Sequence, residues 1–122
     1  MTMDRYLIVL QAGKEGHEGM ARAYHALLYC KDFAEHGFEV KLIFDGAGTE
    51  WVAELMKPEH KLHPLFKEVQ GKGVIDAICD FCAGAFGVKD LAQKSSIALR
   101  SEFHGHPSIA KYAAEGFRII VL

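Results

Sequence analysis

The sequence predicts an α/β fold in one domain over residues 1–122, built on a mainly parallel sheet. Three observations carry that prediction. Tyr6–Leu10 is a continuous apolar run rich in strand formers, as a strand covered on both faces requires, and interrupted apolar runs recur at Val74–Ile78 and Phe117–Leu122. Stretches with helical spacing of apolar residues lie between them. Glycine and proline punctuate the joins. Strands alternating with helices make a parallel sheet with crossover helices the economical architecture.

Taken in order, Tyr6–Leu10 (Y-L-I-V-L) is the first strand, followed by a glycine-spaced loop from Gln11 to Gly19. A helix is predicted from about Met20 to Glu35, with Met20, Ala23, Tyr24, Leu27, Cys30 and Ala34 on one face. Gly37 is placed to end it in a left-handed cap. Phe38–Phe44 reads as the second strand, broken by Asp45-Gly46-Ala47-Gly48. Thr49 is expected to cap a short helix carrying Trp51, Val52, Leu55 and Met56, which Pro58 stops. Pro64 suits the first turn of a further helix that buries Leu65, Phe66 and Val69.

The third strand runs into Cys79 and Cys82, with a short helix after the turn. Val88–Lys94 reads as a brief helix, and Ile97 and Leu99 as a short strand within the least legible segment, Ser95–Phe103. Pro107 opens a last helix (Ile109, Tyr112, Ala113) that Gly116 ends, and Phe117–Leu122 closes the sheet. No internal repeat or linker interrupts this order.

Composition narrows the class. The chain is 50% hydrophobic and 25% charged, ordinary for a domain with its own core. Its formal net charge of -2 offers no electrostatic case for nucleic acid or an anionic membrane. No apolar stretch approaches a transmembrane length, and Met1 to Arg5 leads straight into the first strand rather than resembling a secretory signal. Three cysteines on a chain that needs no bridges point to a reducing, cytoplasmic setting.

In such a setting the C-x-x-C of Cys79 and Cys82 is the strongest chemical signal. At a strand end before a helix, unpaired N–H groups stabilise a thiolate, the form that attacks sulfur. The alternative is two buried thiols acting as small hydrophobes. A thioredoxin-type oxidoreductase fits poorly, because that fold needs a hairpin after its core helices and a proline facing the thiols. The three prolines here are Pro58, Pro64 and Pro107.

Zinc is the second chemistry, since Cys79, Cys82, His104 and His106 supply two sulfurs and two nitrogens. The H-x-H spacing and the lack of a second C-x-x-C weigh against it, so neither metal nor cofactor is expected. His60 and His63 read as solvated loop residues. The Gly13–Gly19 loop lacks both the Walker and the dinucleotide spacing, and Glu15 and Glu18 would repel phosphate; it is expected at the rim of the site. Cys30 reads as core. Asp45, at the end of the second strand, either lines the cleft or starts a turn with Gly46. Asp76 is an unusual carboxylate inside a buried strand, expected to face solvent near the strand's start or a subunit neighbour.

The apolar strand, Cys79, the small residues after it and Phe86-Gly87-Val88 resemble the signature of DsrE/DsrF-like proteins. The opening Y-L-I-V-L, His36-Gly37-Phe38, Phe44-Asp45-Gly46 and Glu115-Gly116-Phe117 fall where that family has them, so the resemblance runs the whole chain. It implies a three-layer α/β/α sandwich with a five-stranded parallel sheet in the order 4-3-2-1-5. It implies a sulfur-carrier or sulfurtransferase-like protein that holds sulfane sulfur as a persulfide on Cys79. Sulfur donor and acceptor proteins would be its partners. Cys82, present in some branches, would act as a resolving thiol.

Trimers or hexamers are implied too, and Trp51, Met56, Phe66 and Tyr112 are expected to supply apolar surface for subunit contacts. The alternatives are a non-catalytic oligomeric binding or regulatory subunit with inert cysteines, and a metal-binding protein.

Overall fold

The computed structural model describes residues 4–122. The part of the leader reading that rests on residues 1–3 lies outside that range. Five strands form one parallel sheet: β1 (Arg5–Leu10), β2 (Glu39–Phe44), β3 (Ile75–Cys79), β4 (Leu99–Arg100) and β5 (Phe117–Val121). Their spatial order is β4-β3-β2-β1-β5. The register aligns Leu10 with Phe44 across β1 and β2, and Cys79 with Arg100 across β3 and β4. All strands therefore end at one edge, where an open parallel sheet commonly places its ligands.

Six helices connect them: α1 (Gly16–Glu35), α2 (Glu50–Leu55), α3 (His63–Gly71), α4 (Asp80–Ala85), α5 (Lys89–Gln93) and α6 (Ile109–Ala114). They cover the two faces unequally. On one face Ile8, Leu10, Leu42, Phe44 and Ile78 pack against α1, α2 and α3, with Ala83 of α4 and Ala92 of α5 joining the same core. On the other, Leu7, Val9, Ile43 and Ala77 pack with Tyr112 of α6 and Phe117. Both faces are buried, which explains why β1 reads as an unbroken apolar run and not as an alternating one.

The first helix begins a turn earlier than its apolar pattern predicts. Its opening residues, Gly16-His17-Glu18-Gly19, carry no apolar signal, yet Gly19 is buried against the loop before it. A Cβ on Gly19 would meet the Gly13 carbonyl oxygen at 2.2 Å, so no side chain fits there. The buried face of α1 is Ala23, Ala26, Leu27 and Cys30, while Tyr24, predicted to be inside, is 44% exposed. Small residues let α1 lie close on the sheet, and the Tyr24 ring is left outside.

Thr49 does not cap α2. It ends a 3-10 turn over Gly46–Thr49, and its hydroxyl donates back to the Gly46 carbonyl at 2.8 Å. The expected apolar surface is also corrected. Trp51, Phe66 and Tyr112 are buried in the cores, and Met56 is partly buried against them. The large exposed apolar side chains include Phe81, Phe86, Leu91 and Phe103.

Asp76 lies towards the start of β3 on the α6 side, where the Tyr112 hydroxyl donates to its carboxylate. Lys41 Nζ and Arg100 Nε stand 3.8 and 3.6 Å from its oxygens. Burial and this carboxylate push the Tyr112 phenol well above its ordinary range. Tyr112→Phe is expected to lower stability by about 1.5–3 kcal/mol, the usual worth of a hydrogen bond to a charged group, read from urea unfolding at pH 7.

Cys30 is core, as its position on α1 predicts. Burial pushes its thiol up from 9.0 to about 12. A thiol that resists ionisation only when folded contributes stability that is complete below about pH 9 and lost as pH rises towards 12. Urea midpoints should therefore fall above pH 9. Cys30→Ala, whose baseline is lower from the lost packing, should remove a slope of up to about 1.4 kcal/mol per pH unit.

Candidate functional site

The ends of β1, β2 and β3 deliver Gln11, Asp45 and Cys79 to the same edge of the sheet. Cys79 closes β3 with extended backbone and precedes α4. The backbone N–H of Cys82 points back to the Cys79 sulfur at 3.5 Å. The C-x-x-C spacing thus wraps one helical turn around the first thiol, and both cysteines are free.

A third element covers them. The segment between β4 and α6 folds into a tight turn in which Phe103 and His106 exchange backbone hydrogen bonds of 2.8 Å. The Phe81 N–H donates to the Gly105 carbonyl at 2.9 Å and ties that turn to α4. The turn brings His106 Nδ1 to 3.1 Å from Cys79 Sγ and 3.7 Å from Cys82 Sγ. The Phe81 ring packs on the imidazole with centroids 5.0 Å apart.

Asp45 completes the group, with Oδ1 accepting from the Cys82 thiol at 3.9 Å and Oδ2 accepting from Gln11 Nε2 at 2.9 Å. One ligand-type atom from each of Asp45, Cys79, Cys82 and His106 lies within 4.8 Å of all the others. Thr49 supports the group from beneath, its hydroxyl also reaching the Cys82 carbonyl at 3.4 Å.

The site is closed. Cys79 has no exposed surface and Cys82 retains 9%. Burial pushes the Cys79 thiol up from 9.0 to about 12. The Cys82 N–H opposes that shift, while the Cys82 thiol and the Asp45 charge reinforce it. A neutral Cys79 thiol next to an imidazole nitrogen is a nucleophile held with its base, charged only when the proton moves. Asp45 and His106 also line a hollow of about 370 Å³ walled by Phe103, His104, Pro107 and Ile109, the nearest approach for a reactant.

The thiols predicted as a pair are therefore brought together, with His106 and Asp45. His104, the other member of the H-x-H, is not among the residues whose donor atoms converge there. It takes a left-handed backbone (φ 51°), is exposed, and sets its ring against Phe103 with centroids 4.6 Å apart. His60 and His63 are held by local bonds, His60 Nδ1 accepting from the Leu62 N–H and His63 Nδ1 lying 2.7 Å from the Leu55 carbonyl. The glycine loop lies beside the 3-10 turn through Lys14 N–H to Glu50 Oε1 at 3.4 Å. Gln11 was not singled out by the sequence, and its place directly after β1 was the one available signal.

The model of the DsrE/DsrF-like family matches residues 4–122. The chain belongs to that family. Its resemblance to the family, carried by the residues around Cys79, thus extends through β5. The DsrE/DsrF-like chain is 36% identical over 98 residues to the uncharacterized protein MJ0733 of Methanocaldococcus jannaschii, covering 80% of this chain and 78% of the relative. Its fold is also that of BT1422, a conserved protein of unknown function from Bacteroides thetaiotaomicron whose structure is solved. That match has a TM-score of 0.70 at 18% identity and covers 98% of this chain and 95% of the other. The five-stranded order β4-β3-β2-β1-β5 is the one the resemblance implied. The family supports a role in sulfur relay at most. Among the described residues, no helix is long and apolar enough to cross a membrane.

Proposed function

We propose that this protein is a sulfur carrier that accepts sulfane sulfur on Cys79 and hands it to an acceptor thiol. The observation that carries this reading is His106 Nδ1 at 3.1 Å from a buried Cys79 thiol at a strand end. A buried neutral thiol does not react unless its proton leaves as the bond forms, and His106 is placed to take it.

Loading begins when a donor persulfide, R–S–SH, enters from the hollow beside His106. Cys79 Sγ attacks the terminal sulfur while its proton passes to His106 Nδ1. The donor S–S bond breaks, and its electron pair leaves with the inner sulfur, which takes the proton back from His106. The products are R–SH and Cys79–S–SH, with no net oxidation. Because Cys79 is covered, the Phe103–His106 turn must open to admit the donor and close again, returning His106 to the thiol, before the exchange. The Phe81–Gly105 hydrogen bond is the tie that must break.

Transfer repeats the exchange with an acceptor thiol as attacker. Where no acceptor binds, Cys82 attacks Cys79 Sγ of the persulfide, expelling hydrogen sulfide and leaving a Cys79–Cys82 disulfide. An external dithiol must then reduce that disulfide. With all donor atoms of the site within 4.8 Å of one another, the two sulfurs need close by under about 3 Å to reach a bond of about 2.05 Å. Such a cycle belongs in a reducing compartment, in keeping with a cytoplasmic location. We further propose that it operates in a homo-oligomer; light scattering at micromolar concentration should give more than one copy, and a monomeric mass rejects this.

The test is intact-protein mass spectrometry after incubation with a low-molecular-weight persulfide. Wild type should gain the mass of one sulfur atom, and Cys79→Ser none. Cys82→Ser should load and hold its sulfur longer. If wild type gains nothing, or Cys79→Ser gains as much, the reading is wrong.

A further inference from the structure

Sulfur uptake uses Cys79, His106 and at times Cys82. It leaves Asp45 without a task, although both of its carboxylate oxygens have partners in the cluster. One oxygen faces the Cys82 thiol at 3.9 Å and the other is fixed by Gln11 Nε2 at 2.9 Å. A carboxylate next to two sulfurs opposes the formation of a thiolate and so hinders sulfur chemistry. It becomes favourable when a cation sits between them.

The donor set has its own chemistry. Two thiolates, one imidazole nitrogen and one carboxylate oxygen suit zinc, which takes sulfur, nitrogen and oxygen in a tetrahedron; calcium and magnesium prefer oxygen alone. The sulfurs come from β3 and α4, the nitrogen from the turn before α6, and the oxygen from the end of β2, so the donors converge from different directions. Tetrahedral zinc with bonds of about 2.0–2.3 Å needs donors roughly 3.3–3.8 Å apart. The four donor atoms here lie within 4.8 Å of one another, with His106 Nδ1 already 3.1 and 3.7 Å from the two sulfurs. Moderate side-chain adjustment closes the set. The Gln11 bond to the outer oxygen of Asp45 is the kind of support that orients a ligating carboxylate.

We propose that Asp45, Cys79, Cys82 and His106 form a zinc site, and that zinc and sulfur compete for the same cysteines. The set of two cysteines and two histidines that the sequence offered as an alternative gives way to Cys79, Cys82, His106 and Asp45, the group whose donor atoms converge and which does not include His104. A zinc ion would hold the covering turn to α4 through His106, closing the route by which a persulfide enters. Competition rests on the sulfur-carrier reading, whereas the metal site does not.

Cobalt(II) is the probe, because it occupies zinc sites and reports its ligands by absorption. The fully reduced full-length chain should bind one cobalt ion, with sulfur-to-cobalt charge-transfer bands in the near ultraviolet and tetrahedral bands in the visible. Zinc should bleach both. Cobalt-saturated Cys82→Ser should lose about half of the charge-transfer intensity, and Gln11→Ala should weaken binding about 10–100-fold with its circular dichroism unchanged. His104→Ala should bind as wild type does.

Absence of charge-transfer bands in the reduced wild type overturns the site. So does a loss in His104→Ala equal to that in His106→Ala. Zinc-loaded protein should take no sulfur from the persulfide donor, and protein stripped by a chelator should take it. Cobalt bands in a stripped protein that never gains sulfur would uphold the metal site and sink the carrier reading alone. Equal sulfur uptake with and without zinc would overturn the competition.

Discussion

His106→Ala is expected to slow persulfide formation on Cys79 at neutral pH by about 10²–10⁴-fold, the usual contribution of a positioned proton acceptor. The expectation follows from two features together. The imidazole nitrogen lies 3.1 Å from the sulfur, and burial pushes the thiol up to about 12. Without a base, attack must wait for the rare thiolate. Its fraction, and so the loading rate, should climb about tenfold per pH unit while the thiol remains mostly protonated. Wild type, supplied with a base, should show a much flatter profile between pH 7 and 9. Rapid-quench mass spectrometry on both proteins gives the comparison. Identical profiles would mean that His106 covers the thiol without assisting it, and His104→Ala serves as the control on the same turn.

The second large effect concerns the backbone beneath the site. Gly48→Ala is expected to lower the free energy of unfolding by more than about 3 kcal/mol, among the larger effects of a single methyl group. The 3-10 turn crosses the end of β1 so closely that a Cβ on Gly48 would lie 1.9 Å from the Leu10 carbonyl oxygen and 2.6 Å from its carbon. Neither atom can retreat cheaply, since the Leu10 carbonyl also accepts the Asp45 N–H at 3.0 Å. The turn must lift, taking Asp45 and Thr49 with it. Urea unfolding should show the loss, and sulfur loading should fall with it even where the protein remains folded. Gly46→Ala, which faces only a left-handed backbone (φ 55°), should cost about 1 kcal/mol and serves as the milder comparison.

Strands were the most legible part of this chain, because β1 and the end of β3 are buried on both faces and read as apolar runs, and β5, though half-exposed at the sheet edge, still carries Phe117, Ile119 and Ile120. Features set by close backbone approach were hidden. The start of α1 depends on Gly19 meeting the Gly13 carbonyl, and the turn at Thr49 on Gly48 meeting Leu10; neither leaves a mark in apolar periodicity. In the site, the C-x-x-C announced its own local geometry. Asp45 was placed at the right edge by its strand. His104 and His106 could not be told apart, since what separates them is the left-handed backbone at His104 and the reversal that follows. Gln11 acts through a partner 34 residues away, a pairing no local pattern records.

The long separations within the site have a consequence for the protein's synthesis. Cys79 stands 27 residues ahead of His106, and Asp45 is 37 ahead of Cys82. At usual elongation rates Cys79 is made about 1–5 s before its histidine. During that interval the growing chain carries its cysteines without the base, the covering turn or the strand β4 that flanks β3. Maleimide should label Cys79 readily in released chains truncated before residue 100 and slowly in the finished protein. Equal labelling would mean that β3 and α4 shelter the sulfur on their own. The order of residues along the chain thus acts as a timer, joining the reactive pair only when most of the sheet is in place to receive it.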